Sequence, residues 1–187
     1  MTEEDGKLGH FPDDFFDTWV CGQSVLEIGC GAGTDAARIS RKGFDYLGID
    51  LSEDAVWLTR QRLRRSGLEG ESRQVDFLDF EPDQRFNCVF ERGVFHSQKS
   101  ASARRRFAGA VRGVLSQKGV WISISGCAEA SSDPHAHGCL SRAEIETGTA
   151  QCFEPGTIVR RPFGPATWPD NFTAWHCVLI ARHPLRE

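Results

Sequence analysis

Val25-Leu26-Glu27-Ile28-Gly29-Cys30-Gly31-Ala32-Gly33-Thr34-Asp35 decides how the rest of this chain is read. A short apolar run ends in an acidic residue and then in glycines at every second position. The pattern predicts one buried strand running into a tight turn that opens a helix. Glycine suits a turn where backbone must approach a ligand closely. The helix that follows brings unpaired N–H groups and the positive end of its dipole to the same place. At the start of an α/β sheet, a strand, Gly-rich turn and helix form the unit that binds nucleotides.

Details of the turn narrow the ligand. A dinucleotide fingerprint, Gly-x-Gly-x-x-Gly, needs glycine where Thr34 stands. A P-loop needs Gly-Lys-Ser/Thr, and no lysine lies in this turn. Glu27-Ile28-Gly29-Cys30-Gly31-Ala32-Gly33 instead resembles the first motif of the class I S-adenosyl-L-methionine (SAM) dependent methyltransferases, acidic-x-Gly-x-Gly-x-Gly. The resemblance implies that Glu27, Gly29, Cys30, Gly31 and Gly33 contact the cofactor, with the turn against the methionine part of SAM. That part carries no phosphate, which accounts for a turn without a cation.

Two further segments extend the resemblance along the sheet. Gly48-Ile49-Asp50-Leu51-Ser52 resembles the second motif, at the tip of a strand over 44–50. A carboxylate there can accept both hydroxyls of a ribose, and the resemblance gives that role to Asp50, with Leu51 beside it. Capping the next helix is the other reading of Asp50. Ser52, followed by Glu53 and Asp54, already serves as that cap and leaves Asp50 free. Asp76 and Phe77 resemble the third motif, which implies contact with adenine. The plainer reading puts Phe77 or Phe80 in the core.

Val89-Phe90-Glu91-Arg92-Gly93-Val94-Phe95-His96 resembles the fourth motif of many small-molecule methyltransferases, acidic-Arg-Gly-x-Phe-His. Many relatives have Asp where Glu91 stands. The resemblance adds Glu91 and Arg92 to the cofactor contacts and brings His96 near the transferring methyl. An imidazole titrates near neutral pH and could take a proton from an acceptor. Alternatively, His96 only lines the pocket or bonds to backbone.

The remaining chain fits the same plan. Helices are expected near 13–20, 34–42, 53–66, 102–116 and from Ser141, where Ser141 and Glu144 have capping-box spacing. Phe15, Phe16 and Trp19 share one face of the first, which either docks on the sheet or, with His10 and Phe11, closes over the cofactor. Arg60, Arg62, Arg64 and Arg65 crowd a helix C-terminus and read as a dipole-matched, solvated face. Arg104-Arg105-Arg106 at a helix start read as solvent-exposed. A further strand is expected over 120–125, and two more over 157–163 and 172–181 should form a hairpin, with Trp168 and Trp175 as candidate acceptor contacts. Strand and helix order implies a doubly wound, Rossmann-like α/β fold with helices on both faces. The resemblance implies a mostly parallel seven-stranded sheet closed by a C-terminal antiparallel hairpin.

Bulk properties set the functional limits. The 187 residues suit one domain over 1–187, with 1–10 expected to be mobile. Net charge is 22 − 26 = −4, which disfavours a general affinity for nucleic acid or anionic membrane. Seven scattered cysteines without Cys-x-x-Cys read as reduced thiols. With no signal peptide or membrane-length apolar run, the expectation is a cytoplasmic protein. Cys127, His135, His137 and Cys139 fit no closed four-ligand zinc spacing, so no metal is expected. The reading is methyl transfer from SAM to a small-molecule thiol, chalcogen, oxygen or nitrogen nucleophile. A SAM-binding protein without catalysis and a nicotinamide-linked oxidoreductase are the alternatives, and Thr34 argues against the second.

Overall fold

The computed structural model describes residues 12–128, 139–163 and 173–182. Their elements run α1 (Asp13–Trp19), β1 (Ser24–Ile28), α2 (Thr34–Arg41), β2 (Asp45–Asp50), α3 (Glu53–Arg65), β3 (Glu71–Gln74) and β4 (Phe86–Arg92). Then come α4 (Ala101–Val114), β5 (Leu115–Gly126), α5 (Arg142–Thr149), β6 (Phe153–Pro162) and β7 (Thr173–Ala181). One seven-stranded sheet has the order β3-β2-β1-β4-β5-β7-β6. β1 to β5 pair in parallel, and β7 is antiparallel to both β5 and β6. The expected doubly wound sheet and terminal hairpin are therefore present. The order reverses between β1 and β4, which places a ligand crevice at their carboxyl ends.

Alternation along the central strands explains the layers. Val25, Cys88, Phe90, Val120, Ile122 and Ile124 face one side and pack with Phe15, Phe16, Ala36, Ile39 and Leu63 from α1, α2 and α3. Leu26, Ile28, Val89 and Trp121 face the other and pack with Phe107, Val111, Val114 and Ile145 from α4 and α5. Strands apolar on both faces are what a sheet covered twice requires. Helix α1 docks on the sheet, with Phe16 against Phe44 and Phe90 at ring separations of 5.7 Å. Arg161 grips Asp14 from β6 at 2.7 and 2.6 Å. His10 and Phe11, invoked for a lid, lie outside the described residues.

Boundaries moved where tertiary pairing overrode local signals. β5 begins at Leu115 rather than Val120, because Leu115 pairs with Phe86 before the ladder shifts register to Cys88 and Val120. β6 begins at Phe153 and carries Pro155, tolerated because β6 is an edge strand. β3 stops at Gln74, and Phe77–Asp79 form a 3-10 turn capped by Asp76, whose carboxylate accepts from the Leu78 N–H at 2.9 Å.

Candidate active site

The turn after β1 is held from below and from one side. Gly29 and Cys30 N–H groups donate to the Ile49 carbonyl at 2.8 and 3.1 Å. The Thr59 hydroxyl of α3 donates to the Gly31 carbonyl at 3.1 Å, and Arg62 Nε to the Ala32 carbonyl at 2.9 Å. Gly33, at φ +73°, lets α3 approach so closely that a Cβ would lie 2.7 Å from the Thr59 Cα. Gly31 is different: at φ +51° its missing Cβ points into open space, with no atom within 4 Å. Gly29 sits under Val94, whose methyl would be 2.7 Å from an added Cβ. The glycines therefore serve packing at Gly33, loop contact at Gly29 and an open face at Gly31. Cys30 is buried beneath that face.

Asp50 closes the turn. One carboxylate oxygen accepts from the Gly31 N–H at 3.0 Å and the other from the Ser52 N–H at 2.9 Å. Ser52 caps α3 through the Ala55 N–H, as expected. Asp50 is nevertheless not free: it welds the tip of β2 to the glycine turn, and each oxygen keeps a second lone pair for a ligand. Leu51 beside it is 69% exposed. Such an uncovered apolar side chain at a crevice suits the flat face of a base. Asp76 is exposed at the end of β3. Phe77 departs from its motif reading: its ring is buried against Phe107 at 5.1 Å, because the 3-10 turn directs it into the core.

Glu27, expected to meet the cofactor, is also buried. Tyr46, the only tyrosine in the chain, donates its hydroxyl to the Glu27 carboxylate. It can do so because a Cβ at Gly48 would lie 2.2 Å from that hydroxyl. Burial and then the charge of Asp35 hold the Glu27 carboxyl well above the usual carboxylate range; the Tyr46 hydroxyl and Arg92 oppose them. Arg92 is spent on Asp35, and its Nη1 donates to the Phe163 carbonyl at 3.2 Å. Both residues brace the floor of the crevice.

Glu91, also expected to meet the cofactor, is 0% exposed, with both carboxylate oxygens engaged by the protein. One oxygen accepts from the Val94 and Phe95 N–H groups at 2.7 and 3.0 Å, and the other from the Ser123 hydroxyl of β5. Burial pushes its pKa up to about 7, against the pull of those hydrogen bonds. The carboxyl folds the loop after β4 into a tight arc that sets Val94 over Gly29.

That arc aims His96. The Gly126 N–H, at the end of β5, donates to His96 Nδ1 at 2.9 Å. An amide can only donate, so Nδ1 carries the lone pair and the neutral ring carries its proton on Nε2. Burial lowers the His96 pKa. Backbone bonding, one of the two sequence readings, is thus what the ring does at Nδ1; at Nε2 the neutral ring has a proton to offer and none to take. His96 opens on a cavity of about 680 Å³ that Gln98, Lys99, Arg104, Cys139, Leu140 and Glu144 also line. Within it Arg104 donates to the Gln98 carbonyl and to Glu144, each at 3.0 Å. Arg104 is therefore paired and mostly covered, whereas Arg105 and Arg106 are exposed, as the reading of the arginine run expected. The Trp175 indole donates to the Leu140 carbonyl at 3.0 Å and packs in the core. Trp168, His135 and His137 lie outside the described residues. Among the described residues no group of three or more metal-ligating side chains comes together, and no helix is long and apolar enough to cross a membrane.

Sequence reading missed Ser123, Tyr46, Asp35, Thr59 and Gly126. Only Tyr46 left a signal, lying two residues before Gly48 and so on the same face of its strand.

A strand-tip acid closing a glycine turn at the switch in strand order defines a nucleoside-binding α/β domain. The methyltransferase domain family matches residues 25–119, and this chain belongs to it. S-adenosyl-L-methionine is the cofactor that goes with that family. Among curated relatives, the ubiquinone biosynthesis O-methyltransferase of Methylococcus capsulatus is 38% identical over 58 residues, 31% of this chain and 24% of that protein. The ribosomal RNA small subunit methyltransferase C of Alcanivorax borkumensis is 32% identical over 102 residues, 52% of this chain and 31% of that protein. The matches thus span about a quarter to a third of these relatives' length. A SAM-dependent methyltransferase structure from Methanosarcina mazei superposes with a TM-score of 0.78 at 16% identity, covering 92% of this chain and 98% of that one. At that identity the likeness concerns the fold.

Proposed function

We propose that this chain transfers a methyl group from SAM to a small-molecule acceptor. One observation carries the reading: Asp50 is locked to the turn at Gly31, which is open above, and Leu51 lies uncovered beside it. This arrangement fits the nucleoside of SAM. The spare lone pairs of Asp50 would take the ribose hydroxyls, Leu51 and Asp76 would meet the adenine, and the open face of Gly31 would receive the methionine part. Bound there, SAM supplies a methyl on a positively charged sulfur, an activated leaving group. The chain's own task is then alignment and exclusion of water.

A small acceptor is supported by the cavity beside His96, of about 680 Å³, within the range of small-ligand sites. The net charge of −4 gives nucleic acid no general attraction. All seven cysteines are free, in keeping with a cytoplasmic location. The test is calorimetric titration with SAM and NAD⁺, followed by S-adenosylhomocysteine release against thiols, phenols, amines and carboxylates. Micromolar SAM binding and turnover with one class are expected. Preference for NAD⁺, or SAM binding with no release from any class, would overturn the proposal.

A further inference from the structure

We infer that His96 is a hydrogen-bond donor to the acceptor through Nε2–H, and that the acceptor enters the adjoining cavity as an anion and needs no base. The inference rests on the methyltransferase reading above and specifies its acceptor.

The first support is the ring's protonation. The Gly126 N–H fixes Nδ1 as an acceptor at 2.9 Å. A base working at Nε2 needs that nitrogen bare, which would put the proton on Nδ1 against the amide hydrogen. The clash of two donors makes this tautomer costly. No group among the described residues accepts from Nε2, although the ring is braced by Gly93, Phe163 and the Gly126 amide. A braced donor with no acceptor among the described residues suits a ligand that brings lone pairs.

The second support is charge. Arg104 and Glu144 pair across the cavity at 3.0 Å and cancel. Burial raises the Cys139 thiol, which stays neutral. Among the described residues that line the cavity, the exposed Lys99 is then the one remaining charge, and it is positive. Ser100 caps α4 and Ser141 caps α5, so two helix N-termini with their positive dipole ends flank the same space.

The chemistry balances without a proton acceptor. A lone pair on the anionic oxygen or sulfur forms the new bond to the methyl carbon as the bond from carbon to sulfur breaks. That electron pair returns to sulfur, and an anion and a cation become two neutral products. The Nε2–H would hold the anion in line without drawing off its reacting lone pair, because a carboxylate or thiolate has others.

The test uses the full chain saturated with S-adenosylhomocysteine, with benzoate and benzamide as probes. Nitrogen NMR of ¹⁵N-histidine-labelled protein, with His96 assigned through His96→Gln, should show the Nε2–H tautomer. Benzoate should bind about tenfold more tightly than benzamide, as expected of a hydrogen bond to a charged group. Lys99→Met should reduce that advantage two- to fivefold. His96→Gln, which keeps an N–H donor, should hold benzoate within about threefold, and His96→Ala should lose about tenfold. An Nδ1–H tautomer, equal affinities or binding of neither probe would overturn the inference. A His96→Gln protein as weak as His96→Ala would do so as well. Failure of the wild-type chain to bind S-adenosylhomocysteine would instead bring down the methyltransferase reading itself.

Discussion

Asp35 in the first turn of α2 and Arg92 at the end of β4 meet fork to fork, with Nε to Oδ2 at 2.7 Å and Nη2 to Oδ1 at 3.1 Å. The pair is mostly buried, with side-chain exposures of 16% for Arg92 and 9% for Asp35. It clamps the helix that follows the glycine turn to the strand that carries the His96 loop. Removing one partner leaves the other charge half-desolvated, so Arg92→Ala or Asp35→Ala should each cost about 3 kcal/mol. The double variant should cost less than the sum of the singles. Urea unfolding of all four proteins measures the coupling; additive losses would show that the pair is not a clamp.

Asp50 combines support of the turn with the proposed grip on ribose. Asp50→Ala should weaken SAM binding a hundredfold or more, for about 3 kcal/mol of charge-assisted hydrogen bonding. Asp50→Asn keeps one acceptor oxygen and should lose about tenfold. Calorimetry reads both. Unchanged affinity in the alanine variant would remove the ribose assignment.

Gly31 and Gly33 should separate binding from stability. At Gly31 an alanine meets open space, so Gly31→Ala should cost only about 1 kcal/mol of backbone strain. Its methyl would fill the face proposed for the cofactor, so SAM affinity should fall sharply. Gly33→Ala drives a methyl to 2.7 Å from the Thr59 backbone and should cost about 3 kcal/mol. Thermal melting and calorimetry on the two variants give opposite rankings if the division holds.

Glu91 predicts a pH dependence. Burial raises its folded pKa from 4.5 to about 7. The folded state therefore holds this proton more tightly than the unfolded chain does. The contribution is most favourable below pH 4.5 and fades as pH climbs to about 7, for about 3 kcal/mol in all. Glu91→Gln can still accept from Val94 and Phe95 and donate to Ser123, so it should fold and flatten the stability profile between those limits. Glu91→Asp is one methylene short of the Val94 and Phe95 N–H groups and should cost about 2 kcal/mol at any pH. Chemical denaturation from pH 4.5 to 8 distinguishes them; a Gln variant with the wild-type slope would refute the assignment.

Much of the frame was legible from residue order. The short apolar run at Val25–Ile28, the glycine turn, and the caps at Ser52 and Ser141 are local signals. Each is satisfied by neighbours within a few residues, and the elements formed where they pointed. The strand-tip position of Asp50 was legible too, but its bonds to the Gly31 and Ser52 N–H groups were not.

The fates of the other acids and of His96 were not. Glu27, Glu91 and Asp50 all sit at or near a strand end, and no local pattern tells which of them faces solvent. β1 and β4 are flanked on both sides and covered above and below, so Glu27 and Glu91 were buried and turned to Tyr46, Ser123 and the loop amides. β2 ends beside the open turn, and Asp50 stayed partly exposed. His96 took its tautomer from Gly126, 30 residues away. Sequence by itself set which segments became strand, turn and helix, because backbone hydrogen bonding and apolar periodicity are short-range. Only the packed sheet decided which polar groups were desolvated and what they bonded to, because burial depends on neighbours brought from distant parts of the chain.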